Sequence, residues 1–330
     1  MKKIKVAQIG TSRYSHGNFI WGSLIKQRDI FDVAGYAFPE KEREKFPDIM
    51  DVFDGYREMT AEEILADPTI VAVTIETEER YLAKYALMAA KAGKHIHLEK
   101  PGFTDPADFE ALVQVVKEKN LVLHLGYMYR YNPTLQALMA RVKEGELGDV
   151  ISVEAQMNGI YPPTAEARQW LSCLPGGNML FLGCHMIDLI LQIRGIPETV
   201  IPFNCVTGAE GTTAEDFAMA ILRYNNGVCI AKANAAEVLG YNRRQLVISG
   251  TKGTAECKPL EISYGGGAVS TPATECLADK QENIDGGVFD RYDGMLAAFA
   301  GYVRGDRQNP YAPEYEMALC KILHKACGQI

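Results

Sequence analysis

The first half of the chain has no cysteine. The eight present run from Cys173 to Cys327 without a Cys-x-x-Cys pair, which argues against a disulfide framework or structural zinc and leaves reduced thiols as the expectation. A basic block is also missing, and the formal net charge is −8. The long-range field therefore repels phosphate backbones and anionic bilayers, so neither nucleic-acid nor membrane partners are expected. Long apolar runs are absent too: the opening "MKKIKVAQIG" reaches a glycine after a stretch too short for a signal-peptide core or a membrane span. A cytoplasmic protein is the expectation. No internal repeat is visible.

What is present is enough material for a substantial core: 330 residues, 47% of them hydrophobic, a length that favours two domains over one. The first, expected over residues 1–125, alternates strand and helix signals. "KIKVAQIG" is an apolar strand ending at Gly10, "NFIWGSLIKQ" a helix, and "FDVAGYAF" a second strand. Thr60 and Glu63 make a capping-box pattern, and "IVAVTIET" is a continuously apolar strand. A helix from about Glu79 to Ala92 stops at Gly93, "HIHLEK" is the fourth strand, Thr104 opens another helix, and "LVLHLGY" is a fifth strand. Apolar strands separated by helices imply a doubly wound parallel sheet, with ligands beyond the carboxyl ends of its strands. The loops after Gly10, Phe38, Glu76 and Leu98 then share one rim.

Near Gly148 the pattern changes. "DVISVEAQMN" alternates polar with apolar, "FAMAILRYNNGVCIAKANA" reads as a hairpin around Asn226-Gly227, and "RRQLVISGTKGTAEC" as another. An α+β domain over 126–330 is expected, with an open, mostly antiparallel sheet. "YGGGAVSTPATE" reads as a mobile surface loop.

The loop "GTSRYSHG" carries only Gly10 and Gly17 where a dinucleotide fingerprint has more glycine, and Ser12 stands at one such place. Thr11, Ser12 and Arg13 remain hydrogen-bond donors for phosphate. His16 reads equally as a phosphate contact or a helix start. The second strand ends in Phe38 rather than an acid, and Glu40 reads as a solvated turn charge, so NAD and NADP both stay open. In "LEKPGF", Lys100 stands at a strand end with a stem long enough to reach a substrate hydroxyl and stabilise developing alkoxide. Pro101 restricts its backbone. His97 and His124 alternate with apolar residues and read as core.

Four segments carry a resemblance to a known family: "AGKHIHLEKPGFTDPADFEALV", "GYMYRYNP", "GELGDVISVEA" and "GGNMLFLGCHMIDL". In this order, over nearly the whole chain, they resemble the glucose-fructose oxidoreductase, inositol dehydrogenase and MocA (Gfo/Idh/MocA) family. The resemblance implies a Rossmann domain followed by an open-faced α/β domain, and a nicotinamide cofactor. It gives Lys100 the role of polarising the substrate hydroxyl and His185 that of base, a choice that imidazole's acidity independently supports. Asp188, one helical turn on, is a candidate orienting partner for His185. Gly10, Thr11, Ser12, Arg13, His16, Glu76, Thr77, Glu99, Arg168 and Trp170 join Lys100 as candidate cofactor contacts. Tyr127, Arg130 and Asn132 join Lys100 and His185 toward substrate.

The chain departs from the family at two places. The aspartate common four residues before the histidine is Phe181 here. The usual Thr-Pro-Asn after the strand of "IVAVTIET" appears as Thr77, Glu78, Glu79 and, further on, Leu82. Those carboxylates read either as charges favouring a helix N-terminus or as a rearranged cofactor wall. The resulting expectation is an NAD(P)-dependent oxidoreductase acting on a secondary hydroxyl of a sugar, sugar acid or cyclitol, without a metal. It is expected to form a homodimer or a tetramer through the open sheet face. A redox-cycling sugar lyase or glycosidase with tightly held NAD, or a non-catalytic sugar or cofactor sensor, are the alternatives.

Overall fold

The computed structural model of the chain describes residues 2–329. Its first strand, β1 (Ile4–Ile9), is buried almost throughout, as a central parallel strand must be. It is followed by α1 (Gly17–Lys26), β2 (Phe31–Ala37), a single turn α2 (Glu42–Lys45), α3 (Ala61–Ala66), β3 (Ala72–Ile75), α4 (Glu79–Lys91), β4 (His95–Leu98), α5 (Pro106–Glu118) and β5 (Leu123–Leu125). The five strands are parallel in the order β2-β1-β3-β4-β5. α3 begins at the anticipated capping box, with Thr60 Oγ1 accepting from Glu63 N and Glu63 Oε2 from Thr60 N. α4 places Leu82, Ala86, Ala89 and Ala90 on one buried face, and packs on β4 and α5. Burying Leu82 alone is worth about 1.5–3 kcal/mol. α5 is capped by Asp105, whose Oδ1 accepts from Ala107 N, with Pro106 in its first turn. The expected start at Thr104 is one residue early, because a carboxylate directly before proline satisfies the free amides better than a hydroxyl one step further out.

The remainder holds α6 (Pro133–Lys143), β6 (Val150–Gln156), α7 (Ala165–Gln169), a π-helical turn Met179–Gly183 continuing into α8 (Cys184–Arg194), then β7 (Thr199–Pro202), β8 (Phe217–Tyr224), β9 (Gly227–Asn234), β10 (Gln245–Gly250), β11 (Gly253–Cys257), β12 (Ile262–Gly265), β13 (Ala268–Ser270), β14 (Pro272–Leu277), β15 (Gln281–Asp285) and β16 (Phe289–Asp290). Eight strands form one sheet, β15-β14-β11-β10-β6-β9-β8-β7, antiparallel except for the β6–β9 pair. β12, β13 and β16 form a small second sheet. α8 packs on β6 and β9, covering the face that carries Val153, Ala155, Cys229 and Ala231.

Two expectations change here. The glycine-rich "YGGGAVSTPATE" is not a loose loop but the β12–β13 hairpin and the start of β14, since three successive glycines at positive φ, Gly265 to Gly267, reverse the chain tightly. The other hairpin turns at Asn225-Asn226, because Tyr224 pairs with Gly227. Gly227 is required for another reason: a Cβ there would lie 1.8 Å from the carbonyl oxygen of Ile151.

The chain closes with α9 (Asp293–Arg304) and α10 (Pro313–Ala326). Contacts divide it into two units: one runs up to Gly126 and takes back Tyr292–Met317, the other is Tyr127–Arg291 with the segment from Ala318. The division differs from a cut at 125/126 in that α9 packs with α1 and β1, where Phe299 stacks on His124 at 5.4 Å. No described helix is long and apolar enough to cross a membrane.

Candidate active site

In the first unit the rim is built from backbone extensions of the sheet. Gly10 N donates to Ala37 O, Glu76 N to Ile9 O, Glu99 N to Ile75 O and Gly126 N to Leu98 O. The loops after β1, β3 and β4 are thereby fixed side by side. Gly10, at φ +78°, lies so close to the β3 loop that a Cβ would fall 2.3 Å from Thr77 Cγ2. Gln8 Nε2 donates to the carbonyls of Gly10 and Gly17 at 3.1 and 2.9 Å. Ser15 Oγ donates to Glu76 O at 2.8 Å. The polar side chains thus brace a loop with few glycines.

These residues fit a dinucleotide. The Thr11 hydroxyl is fully buried and has no hydrogen-bond partner among the described residues, which suits it to a phosphate oxygen at the start of α1. Ser12 Oγ accepts from Tyr14 N, and Arg13 is ion-paired with Asp48. His16 turns its Nδ1 to Glu99, 3.2 Å from Oε2.

Lys100 stands at the end of β4, is 1% exposed and has a cis bond to Pro101. Its Nζ lies 3.7 Å from Glu99 Oε1. Around it are three carboxyl groups with at most 1% exposure, Glu76, Glu79 and Glu99. Burial, and the charge of and hydrogen bond to Glu99, push Glu76 well above the usual carboxylate range. Glu79 is pushed up to about 8 by burial, against the opposing pull of Lys100. At Glu99 burial acts upward as well, but His16, by charge and hydrogen bond, and Lys100 outweigh it and hold the carboxyl below its ordinary value. His97 is buried as expected of a core residue, with Nδ1 2.7 Å from His124 Nδ1, yet its Nε2 faces Glu76 Oε1 at 3.6 Å. His97 is the member of this cluster that sequence reasoning placed in the core, and Glu79 the one it read either as a helix-terminus charge or as a rearranged cofactor wall. The signal for Glu79 was the run Glu76, Glu78, Glu79 at a strand end.

In the second unit His185 sits on the first turn of α8, 1% exposed. The rings of Tyr127 and Tyr129 both meet it edge-on at 5.5 Å. Burial, then the Glu261 charge, push the Tyr129 phenol above its ordinary value, and its hydroxyl has no hydrogen-bond partner among the described residues. Tyr129, which sequence reasoning did not assign to the site, lies against His185.

The expected partner of His185, Asp188, accepts instead from Arg130, with Nε 3.0 Å from Oδ2 and an Nη2 nitrogen 2.8 Å from Oδ1, and from Gln192 Nε2 at 2.9 Å. Arg130 is thus buried and neutralised by Asp188, with its guanidinium 4.5 Å from the Tyr127 ring centre. Asn132 caps α6, accepting from Leu135 N and donating to Thr271 Oγ1. Arg168 is ion-paired with Glu210. Trp170 packs edge-on against Phe181 at 5.3 Å, and Tyr161 stacks on the same ring at 5.8 Å.

Comparison with known proteins gives the family of both parts of the chain. Residues 4–127 match the oxidoreductase family with an NAD-binding Rossmann fold, and residues 135–256 match the GFO/IDH/MocA C-terminal domain. The chain is 26% identical over 228 residues to scyllo-inositol 2-dehydrogenase (NADP(+)) IolW of Bacillus subtilis, covering 68% of this chain and 61% of that protein. It is 24% identical over 196 residues to myo-inositol 2-dehydrogenase of Thermotoga maritima, covering 58% of this chain and 57% of that protein. The matched stretches thus span about three fifths of these relatives. Among solved structures, KijD10, a 3-ketoreductase from Actinomadura kijaniata in complex with NADP and TDP-benzene, shares the fold with a TM-score of 0.80 at 18% identity, over 98% of this chain and 96% of that one.

Proposed function

The chain belongs to the Gfo/Idh/MocA family of oxidoreductases with an NAD-binding Rossmann fold, and from that premise we propose that it is an NADP(H)-dependent oxidoreductase of sugars, sugar acids or cyclitols. It interconverts a secondary hydroxyl and the ketone. The observation that carries the reading is Lys100, buried at the carboxyl end of β4 beside Glu99: a desolvated cation at a ligand-binding rim is suited to stabilising an alkoxide. His185 takes the hydroxyl proton, its imidazole held between the edges of Tyr127 and Tyr129. The nicotinamide, when bound, supplies the hydride acceptor or donor. Gly10, Thr11, Ser12 and Thr77 hold the dinucleotide. The substrate class is supported by the inositol dehydrogenases among the relatives.

NADP is favoured over NAD by the end of β2. Glu40, the nearest acid there, is taken by Lys84 Nζ at 2.8 Å and the Tyr85 hydroxyl at 2.6 Å. Arg43 lies over the Phe38 ring at 5.4 Å. A ribose 2′-hydroxyl finds Glu40 already engaged, while a 2′-phosphate competes for Arg43 only with the exposed carboxylate of Glu58, 2.8 Å away. A second copy of the chain is the proposed cover for the open face of the eight-stranded sheet.

Thermal-shift titration against NAD, NADH, NADP and NADPH tests the cofactor. A nucleotide at 100 times its dissociation constant stabilises by about 2.7 kcal/mol, and the expected result is a shift with the phosphorylated pair. No shift with any of the four overturns the proposal. Lys100→Met should keep the shift and lose roughly 100-fold or more in turnover.

A further inference from the structure

We propose that Arg244 binds a carboxylate on the substrate, which makes that substrate a sugar acid rather than a neutral sugar or cyclitol. The reaction rests on the oxidoreductase reading above. The binding of the carboxylate does not.

Three arginines are buried among the described residues. Arg130 is paired with Asp188 and Arg168 with Glu210. Arg244, in the turn before β10 and 7% exposed, has no carboxylate partner among the described residues. Its Nε donates to Asn158 O at 3.0 Å, its guanidinium lies 4.3 Å from the Tyr241 ring centre, and its Nη nitrogens make no hydrogen bond. A carbonyl and a ring face attract a guanidinium but carry no opposite charge, and a buried cation is otherwise paired. The acids beside this turn are engaged. Glu261 accepts from Arg291 Nε at 2.9 Å and from the Tyr241 hydroxyl at 2.7 Å, and Glu237 is paired with Arg243 at 2.8 Å and Lys232 at 3.7 Å. What remains is one positive charge on a planar fork, the match for a carboxylate. A doubly charged phosphate calls for a second cation, and Arg291 is already cancelled by Glu261.

Two more polar groups in the same neighbourhood lack partners. Asn158 is fully buried; its Nδ2 donates to Gln156 Oε1 at 3.2 Å, but its Oδ1 has no partner among the described residues. The Tyr129 hydroxyl is in the same state. A ladder of hydrogen bonds ties Tyr129 to Arg244: Asn132 N donates to Tyr129 O at 3.3 Å, Asn132 Nδ2 to Thr271 Oγ1 at 2.7 Å, Thr271 Oγ1 to Leu260 O at 2.8 Å, and Leu260 N to Arg244 O at 2.7 Å. The Tyr129 ring in turn meets His185 at 5.5 Å. The Tyr129 phenol, raised first by burial and then by Glu261, is pulled back by the charge of Arg244, as expected of near neighbours. Buried polar groups are almost always satisfied. A cation, an amide oxygen and a phenol left open beside His185 fit a polyhydroxy carboxylate, with the carboxylate on Arg244 and hydroxyls on Asn158 Oδ1 and Tyr129.

Thermal-shift titrations of the full chain, without nucleotide and at constant ionic strength, compare acids with their neutral counterparts: D-glucuronate with D-glucose, D-galacturonate with D-galactose, D-gluconate with D-glucitol, and D-glucose 6-phosphate beside them. The expected result is that at least one carboxylate stabilises the chain more than its counterpart, with a dissociation constant roughly 10- to 100-fold higher in Arg244→Gln. A panel in which no carboxylate exceeds its counterpart overturns the proposal. So does a carboxylate shift that persists in Arg244→Gln, which places the anion elsewhere, or a shift given by the phosphate alone. If Arg244→Gln does not melt cooperatively, Arg244→Lys keeps the charge and loses the fork; it should weaken the carboxylate and leave the neutral sugar unchanged, and an unweakened carboxylate there overturns the proposal as well. Carboxylate binding that depends on Arg244, without turnover when NADP is added, would count against the oxidoreductase reading alone. Turnover of a neutral sugar, untouched by Arg244→Gln, would count against the carboxylate alone.

Discussion

Phe181 shows how one side chain can replace a chemical role with a packing one. It is 1% exposed and lies between Tyr161 and Trp170 in the π-helical turn that leads into α8. An aspartate here would put a carboxylate among aromatic rings. Phe181→Asp should therefore cost about 3–5 kcal/mol, the loss expected when a buried aromatic is deleted and a polar group left in its place, measured as a lower urea midpoint. An unchanged midpoint would show the site to be polar and restore the aspartate's usual role. At this scale type and neighbourhood single out Lys100 and His185 in the sequence, and the structure buries both. The sequence could not show that Arg130, Asn132 and Arg168 pair with Asp188, Thr271 and Glu210, which lie 58, 139 and 42 residues away. A candidate cation or amide is visible in a sequence; the group that neutralises it across the fold is not.

Elements were more legible, since periodicity and capping are local. The five parallel strands, the capping box at Thr60 and the β10–β11 hairpin stand where the pattern put them. Turns set by packing were less so: Gly227 looked like a turn residue but serves the close approach of β6. The eight-stranded sheet also makes a row that no single strand reveals. Ile201, Ile221, Ile230, Glu154 and Val247 are successive partners across β7, β8, β9, β6 and β10. This row lies on the face away from α8, and Ile201 is 43% exposed. A row apolar except for Glu154 suits a two-fold pairing of sheets. Ile230→Lys should then convert a dimer into a monomer in sedimentation. A wild-type chain that sediments as a monomer would leave that face without a partner copy.

For the whole molecule, the buried acids and histidines set how stability responds to pH. Folded Glu79 keeps its proton up to about pH 8, whereas its ordinary value is 4.5. Across that window the folded chain holds an extra proton, and stability falls as pH rises. His97 has the opposite sign: burial takes it from 6.5 to about 4, the unfolded chain holds the extra proton between those values, and stability rises with pH. Glu42, raised by burial to about 7, and Glu76 share the sign of Glu79, so His97 offsets only part of the loss between about 4.5 and 6.5 and the decline continues to about 8. Urea midpoints should decline from pH 6.5 to pH 8, and less steeply in Glu79→Gln. A rising wild-type midpoint over that range would mean that these carboxyls ionise normally.

The return of Tyr292–Met317 to the first unit also bears on how the protein is made. During synthesis β1 to β5 emerge early, but the helix that covers α1 and β1 and stacks Phe299 on His124 comes only after the entire second sheet has been translated. At about 5–20 residues per second the wait is on the order of ten seconds. Through that interval the nascent nucleotide-binding half has an uncovered apolar flank beside the ribosome, the period in which a chaperone would have most to hold.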